Sequence, residues 1–108
     1  MARPSKGARI LVVDGHDERR LVSREILARA GHDVSEASTV ADAWAWLPGV
    51  ELAMVDVNLP DGSGIDLTGR VRADPRFENL SILLTSATAH RPDEQAAGLD
   101  TGADAYMS

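Results

Sequence analysis

Three short runs in which every residue is apolar constrain this chain more than anything else in it. They are Ile10-Leu11-Val12-Val13, Leu52-Ala53-Met54-Val55 and Ile82-Leu83-Leu84. A strand of that kind offers no polar face to water, so it belongs at the centre of a parallel sheet covered on both sides. The segments between them have helical spacing instead. Val22, Ile26, Leu27 and Ala30 recur at helical intervals from Asp17 onward, and Gly31 supplies the stop. Ser38 or Thr39 caps a second helix through Leu47, ended by Pro48-Gly49. Ile65 to Ala73 reads as a third, carrying Gly69 at a cost of about 1 kcal/mol against Ala and ended by Asp74-Pro75. Pro92 suits the first position of a fourth, through about Leu99. Asp33 to Ala37, short and polar, fits an edge strand, and Ala105-Tyr106-Met107 opens a fifth strand.

Strands alternating with helices predict an α/β, doubly wound parallel sheet with right-handed crossovers. The pattern alone leaves flavodoxin-like and Rossmann-like strand orders open. The 108 residues make one domain, and 44% apolar content is enough for its core. Eleven basic against seventeen acidic side chains give −6, which argues against a nucleic-acid surface. The absence of cysteine excludes disulfides, thiolate metal sites and a cysteine nucleophile. No apolar run approaches the roughly 18 to 20 residues of a membrane span. The first seven residues, followed by only a four-residue apolar run, do not read as a signal peptide. The expectation is a cytoplasmic domain with no membrane partner.

Ligands of open α/β sheets bind beyond the carboxyl ends of the strands, near the switch point. Asp14, Asp56 and Thr85-Ser86 all fall at such ends. If the first and third strands are neighbours, their backbones lie about 4.8 Å apart, and the two carboxylates can converge. Two close anions call for a cation, and all-oxygen ligation favours Mg²⁺. A carboxylate in such a site can also attack phosphorus, forming an acyl phosphate. Spacing alone equally allows a plainer reading, in which both acids are solvated or cap loops.

These residues carry a resemblance. Ile10-Leu11-Val12-Val13-Asp14, the segment Asp56-Val57-Asn58-Leu59-Pro60-Asp61-Gly62-Ser63-Gly64, the hydroxyl-ended fourth strand and Gly102-Ala103-Asp104-Ala105-Tyr106 resemble response-regulator receiver domains. The likeness runs from about Arg9 to Ser108, after a lead of residues 1–8. The segment Ser86 to Glu94 is similar to receivers of hybrid sensor kinases in particular. The resemblance implies flavodoxin-like order 2-1-3-4-5. It implies Asp56 as phosphoacceptor from a partner's phosphohistidine, on a histidine kinase or phosphotransfer protein. It places the Asn58 backbone carbonyl and the Asp14 and Asp56 carboxylates around Mg²⁺. Ser86, or else Thr85, becomes the switch hydroxyl, and Tyr106 the switch aromatic. The fourth-helix and fifth-strand surface becomes the one that changes partners.

Two departures qualify the likeness. Receivers usually carry two adjacent acids after the first strand, whereas this chain reads Asp14-Gly15-His16, so weak Mg²⁺ binding is expected. Asp17 reads as the helix N-cap rather than as a substitute ligand. The family's lysine would fall directly after Ser108, and its closing helix would follow. Five strands with four helices therefore predict an excerpt of a longer protein, or a homodimer formed through the uncovered sheet face or the fourth-helix and fifth-strand surface. A pseudo-receiver that binds partners without efficient Mg²⁺-dependent phosphorylation is the alternative function. An aspartyl-nucleophile phosphatase fits poorly, since Asp56 is followed by Val57-Asn58 and no cap domain has room. Of the three histidines, none shares metal-ligand spacing, and only His16 touches the proposed pocket. Trp44 is expected in the core and Trp46 half exposed.

Overall fold

The computed structural model describes residues 7–86 and 92–107. Five strands, β1 (Arg9–Val13), β2 (Asp33–Ala37), β3 (Leu52–Asp56), β4 (Ser81–Thr85) and β5 (Ala105–Met107), form one sheet in the order β2-β1-β3-β4-β5. Every neighbouring pair is parallel. The flavodoxin-like order therefore holds, and the apolar runs occupy its three central strands. Four helices connect them: α1 (Asp17–Arg29), α2 (Val40–Trp46), α3 (Gly64–Arg72) and α4 (Pro92–Thr101).

The alternation of side chains divides the sheet into two unequal faces. Leu11 and Val13, Ala53 and Val55, and Ile82 and Leu84 all face one cluster, filled by α2, α3 and the turn at Phe77. The other face is only partly covered. Val22 and Ile26, expected from their spacing to pack inward, are 56% and 62% exposed, and Met107 is 54% exposed. Val22 and Met107, together with Val12 and Met54, border a groove of about 500 Å³ that ends at Asp14, Arg19 and Ser86. This is the sheet face expected to lie uncovered with four helices against five strands. Trp44 is half buried against the core, its ring 6.0 Å from Phe77 and under the Arg70 guanidinium at 5.0 Å, and Trp46 is half exposed.

Local boundaries follow from capping. Thr39 accepts from the Asp42 amide at the start of α2, and Ser63 accepts from the Ile65 amide at the start of α3, one residue earlier than expected. The segment read as a plain loop contains a two-residue antiparallel ribbon, Asn58–Leu59 with Gly62–Ser63. His90 and Ser108, along with most of the segment that resembles hybrid-kinase receivers, lie outside the described residues.

Two glycines in helix interiors, Gly69 and Gly98, separate propensity from packing. A methyl group at Gly98 would lie 2.6 Å from Leu84 Cδ1 in the filled core, whereas one at Gly69 would lie 3.0 Å from the Thr101 methyl at the α3–α4 contact. Helix propensity favours alanine at both positions by about 1 kcal/mol. Overpacking a filled core costs about 1 to 3 kcal/mol, so Gly98→Ala is expected to lose about 1 kcal/mol net. Gly69→Ala should stay near neutral. Urea midpoints of the two variants read the difference directly.

Candidate functional site at the carboxyl end of the sheet

The chain leaves β1 toward β2 on one side and returns through β3 toward β4 and β5 on the other, so its direction switches between β1 and β3. Asp14 directly follows β1, and Asp56 ends β3. Both are buried, Asp56 to 3% exposure. The two carboxylates converge as the spacing predicted. Oxygens of Asp14 and Asp56 and the His16 Nδ1 all lie within 4.8 Å of one another.

The loop after β3 is built to hold Asp56 still. The Val57 amide donates to the Thr85 carbonyl, and the Gly64 amide donates to the Val57 carbonyl. The Asn58 amide donates to Asp56 Oδ1 at 3.2 Å. Asp61 reaches away from the pocket and accepts from the Val40 and Ala41 amides at 2.7 and 3.1 Å, tying the loop to the start of α2. A Cβ at Gly64 would collide with the Asp56 backbone carbonyl, so only glycine lets α3 begin this close to β3.

The residue that sequence reasoning missed is Arg19, in the first turn of α1. Its Nε donates to Asp14 Oδ2 and its Nη2 to Asp14 Oδ1, both at 3.1 Å. The same Nη2 donates to Asp56 Oδ2 at 2.7 Å. It also lies 2.6 Å from His16 Nδ1, which is itself 3.3 Å from Asp14 Oδ1. The only signal in the sequence was a cation at the positive end of a helix, where the dipole disfavours one. Its neighbour Arg20 holds the corner instead, donating to the Asp14 carbonyl, Asp17 and Glu36. Asp17 is thus the first helical residue, not the cap. His16 takes the cap position without a side-chain bond.

These contacts push the two acids apart. Burial alone would raise the Asp14 carboxyl, but hydrogen bonds from Arg19 and the His16 amide, with the guanidinium charge, bring it below the ordinary value. Burial raises the Asp56 carboxyl, the Asn58 amide opposes this, and the Asp14 charge adds to the rise. Ser86 is buried at the end of β4, where its amide donates to the Met107 carbonyl, and Thr85 pairs in register with Asp56. Both border the same groove as Asp14 and Arg19. Tyr106 is half buried and donates its phenol to Glu94 of α4 at 2.8 Å. Burial raises that phenol, Glu94 adds to the rise, and Ser86 opposes it.

The oxygen donors are of the hard kind that Mg²⁺ takes. The set does not, however, fit a tightly held ion. Asp14 Oδ1, Asp14 Oδ2 and Asp56 Oδ2 already accept from Arg19. At Gly15, a Cβ would lie 2.9 Å from Pro60 Cδ, so Pro60 occupies the space a second acid would need.

Comparison with known proteins gives a consistent family. The family model of the response regulator receiver domain matches residues 10–108. The gliding motility regulatory protein of Myxococcus xanthus is 30% identical, with 99% of this chain aligned to 15% of that protein. A chemotaxis protein CheY homolog of Campylobacter jejuni is also 30% identical, over 92% of this chain and 78% of its own length. A solved response regulator from Chloroflexus aurantiacus superposes with a TM-score of 0.83 at 30% identity, covering 94% of this chain and 84% of that one.

The raised Asp56 carboxyl has a consequence for stability. The folded protein holds this proton more tightly than the unfolded chain, so the ionised form costs stability above the ordinary carboxylate range. That cost is relieved as pH falls toward the folded pKa. Asp56→Asn, which keeps an oxygen for the Asn58 amide, is expected to gain about 1 kcal/mol at pH 7. The gain should shrink as pH falls through the carboxylate range. Melts from pH 7 to 4 check both statements, and a loss of stability at pH 7 would contradict them.

Proposed function

The chain belongs to the response regulator receiver family, and from that premise we propose that Asp56 accepts a phosphoryl group from a phosphohistidine of a histidine kinase or phosphotransfer protein. The observation that carries this reading is the buried Asp56 carboxylate at the switch point, with the Asn58 amide on one oxygen and a guanidinium on the other. A carboxylate oxygen attacks phosphorus, an O–P bond forms and the P–N bond breaks. The electron pair leaves on the imidazole nitrogen, which takes up a proton. Burial makes the Asp56 oxygen more basic than an ordinary carboxylate, and the amide and guanidinium donors stand where charge grows on the transferring oxygens.

The acyl phosphate adds nearly two negative charges and three strong acceptors beside β4. Ser86, or its neighbour Thr85, is the hydroxyl placed to respond. The Tyr106–Glu94 bond couples that response to α4 and β5, the surface assigned to partner switching. The unit acts as a signalling domain over residues 9–108 in the cytoplasm. Mg²⁺, where it binds, is held weakly by Asp14, Asp56 and the Asn58 carbonyl. The exposed Val22, Ile26 and Met107 support pairing of two copies through the open sheet face, with the α4–β5 surface as the other route.

Acetyl phosphate with Mg²⁺ tests the central step. Intact mass is expected to rise by one phosphoryl group in the native chain and not in Asp56→Ala, with peptide mapping placing the group on residue 56. Ser86→Ala should retain the modification. A native chain that stays unmodified while remaining folded would sink the phosphoacceptor reading and leave a binding module.

A further inference from the structure

We propose that Arg19 is the resident cation of the acceptor pocket: it takes the place of a divalent ion on the Asp14 and Asp56 carboxylates and competes with any such ion for the same oxygens. Its link to phosphorylation rests on the reading of Asp56 as phosphoacceptor, but the competition with metal does not.

Geometry carries the first part. One guanidinium edge, Nε and Nη2, grips both oxygens of Asp14, and Nη2 continues to Asp56 at 2.7 Å. This fork is the bidentate arrangement for which arginine is suited and lysine is not. The Asp56 oxygen left outside it accepts from the Asn58 amide. His16 offers Nδ1 within the cluster that an ion would enter, yet that nitrogen lies 2.6 Å from Nη2. One side chain therefore contacts an atom of each of the three residues that could hold an ion.

Charge carries the second part. Two buried carboxylates bring two negative charges, and Arg19 leaves a net charge of −1 for an arriving cation. The ion must either displace the guanidinium or bind beside it at a site of halved charge. Displacement is opposed by three hydrogen bonds to ionised acceptors. Gly15 closes the remaining route, since the Pro60 ring lies where another acidic side chain would stand. The position of Arg19 also needs the carboxylates to explain it. A cation in the first turn of α1 opposes the helix dipole, and its helical neighbours Asp17 and Glu18 follow the usual preference.

During phosphoryl transfer the same Nη2 stands against the reacting carboxylate, so it can follow charge onto the phosphoryl oxygens without an ion being recruited.

The test compares the native chain with Arg19→Met and Arg19→Lys by Mg²⁺ calorimetric titration and by melts with and without 10 mM Mg²⁺. Removing the guanidinium is expected to tighten Mg²⁺ binding at least tenfold and to enlarge the rise in Tm produced by Mg²⁺. Arg19→Lys keeps the charge but cannot bridge, so its affinity should fall between the two. If Arg19→Met does not fold, the lysine variant decides alone: tighter binding than native supports the proposal, and equal or weaker binding overturns it. A folded Arg19→Met with native Mg²⁺ affinity overturns it outright. In parallel, acetyl phosphate labelling of the native chain in EDTA should keep at least a third of its Mg²⁺ level, while that of Arg19→Met collapses. Absence of labelling in every sample would count against Asp56 as acceptor and leave the metal titration to decide on Arg19.

Discussion

The pairing of β1 with β3 forces two carboxylates together, and the arrangement of this end of the molecule depends on that convergence. Val13 and Val55 are register partners, so the acids that follow each of them leave the sheet side by side. The strands cannot slide to relieve the repulsion. A one-residue slip would turn Leu11, Val13, Ala53 and Val55 away from the core they fill. Hydrophobic burial thus holds an electrostatic conflict in place, and the positive charge that resolves it has to come from a neighbouring element.

Much of the segment that reads as a functional motif turns out to be scaffolding. Asp61 holds the start of α2, Ser63 caps α3, and Gly64 allows α3 to begin against β3. The Asn58 and Gly62 neighbourhood closes a small ribbon. Of these residues, Asp56 and the Asn58 amide bonded to its carboxylate are the ones at the acidic cluster. The string is specific because several independent backbone requirements meet within nine residues, each with its own preferred side chain. Its recognisability therefore says more about loop geometry than about chemistry.

What could be read from the sequence follows the same division. The sheet was legible because fully apolar runs have one stable placement, and the convergence of Asp14 and Asp56 followed from strand ends at a switch point. Thr39 and Gly31 gave usable boundaries because capping is local. The open flank of α1 followed from the count of four helices against five strands and not from α1 itself: a helical period says which side chains share a stripe, not whether anything covers it. Arg19 was hidden for a related reason. It lies five residues beyond Asp14 and thirty-seven before Asp56, and nothing in its immediate neighbours marks it. Its role exists only once three elements are assembled.

The missing acid and the extra cation then stop being separate oddities. A pocket with one carboxylate fewer attracts a divalent ion less strongly, and a resident guanidinium offsets one of the two negative charges that remain. Arginine is the side chain able to supply it, because it stays charged and matches two carboxylates in one plane. The difference from a diffusible ion is one of linkage. An ion must be drawn from solution, so occupancy follows its concentration. A tethered guanidinium is present at all times, and its ordering cost is met once, when the chain folds. Gly15 and Pro60 fit the same logic, since hydrocarbon now fills space that a second acid would have kept polar. Asp56 accordingly has a single guanidinium contact, whereas Asp14 is gripped on both oxygens.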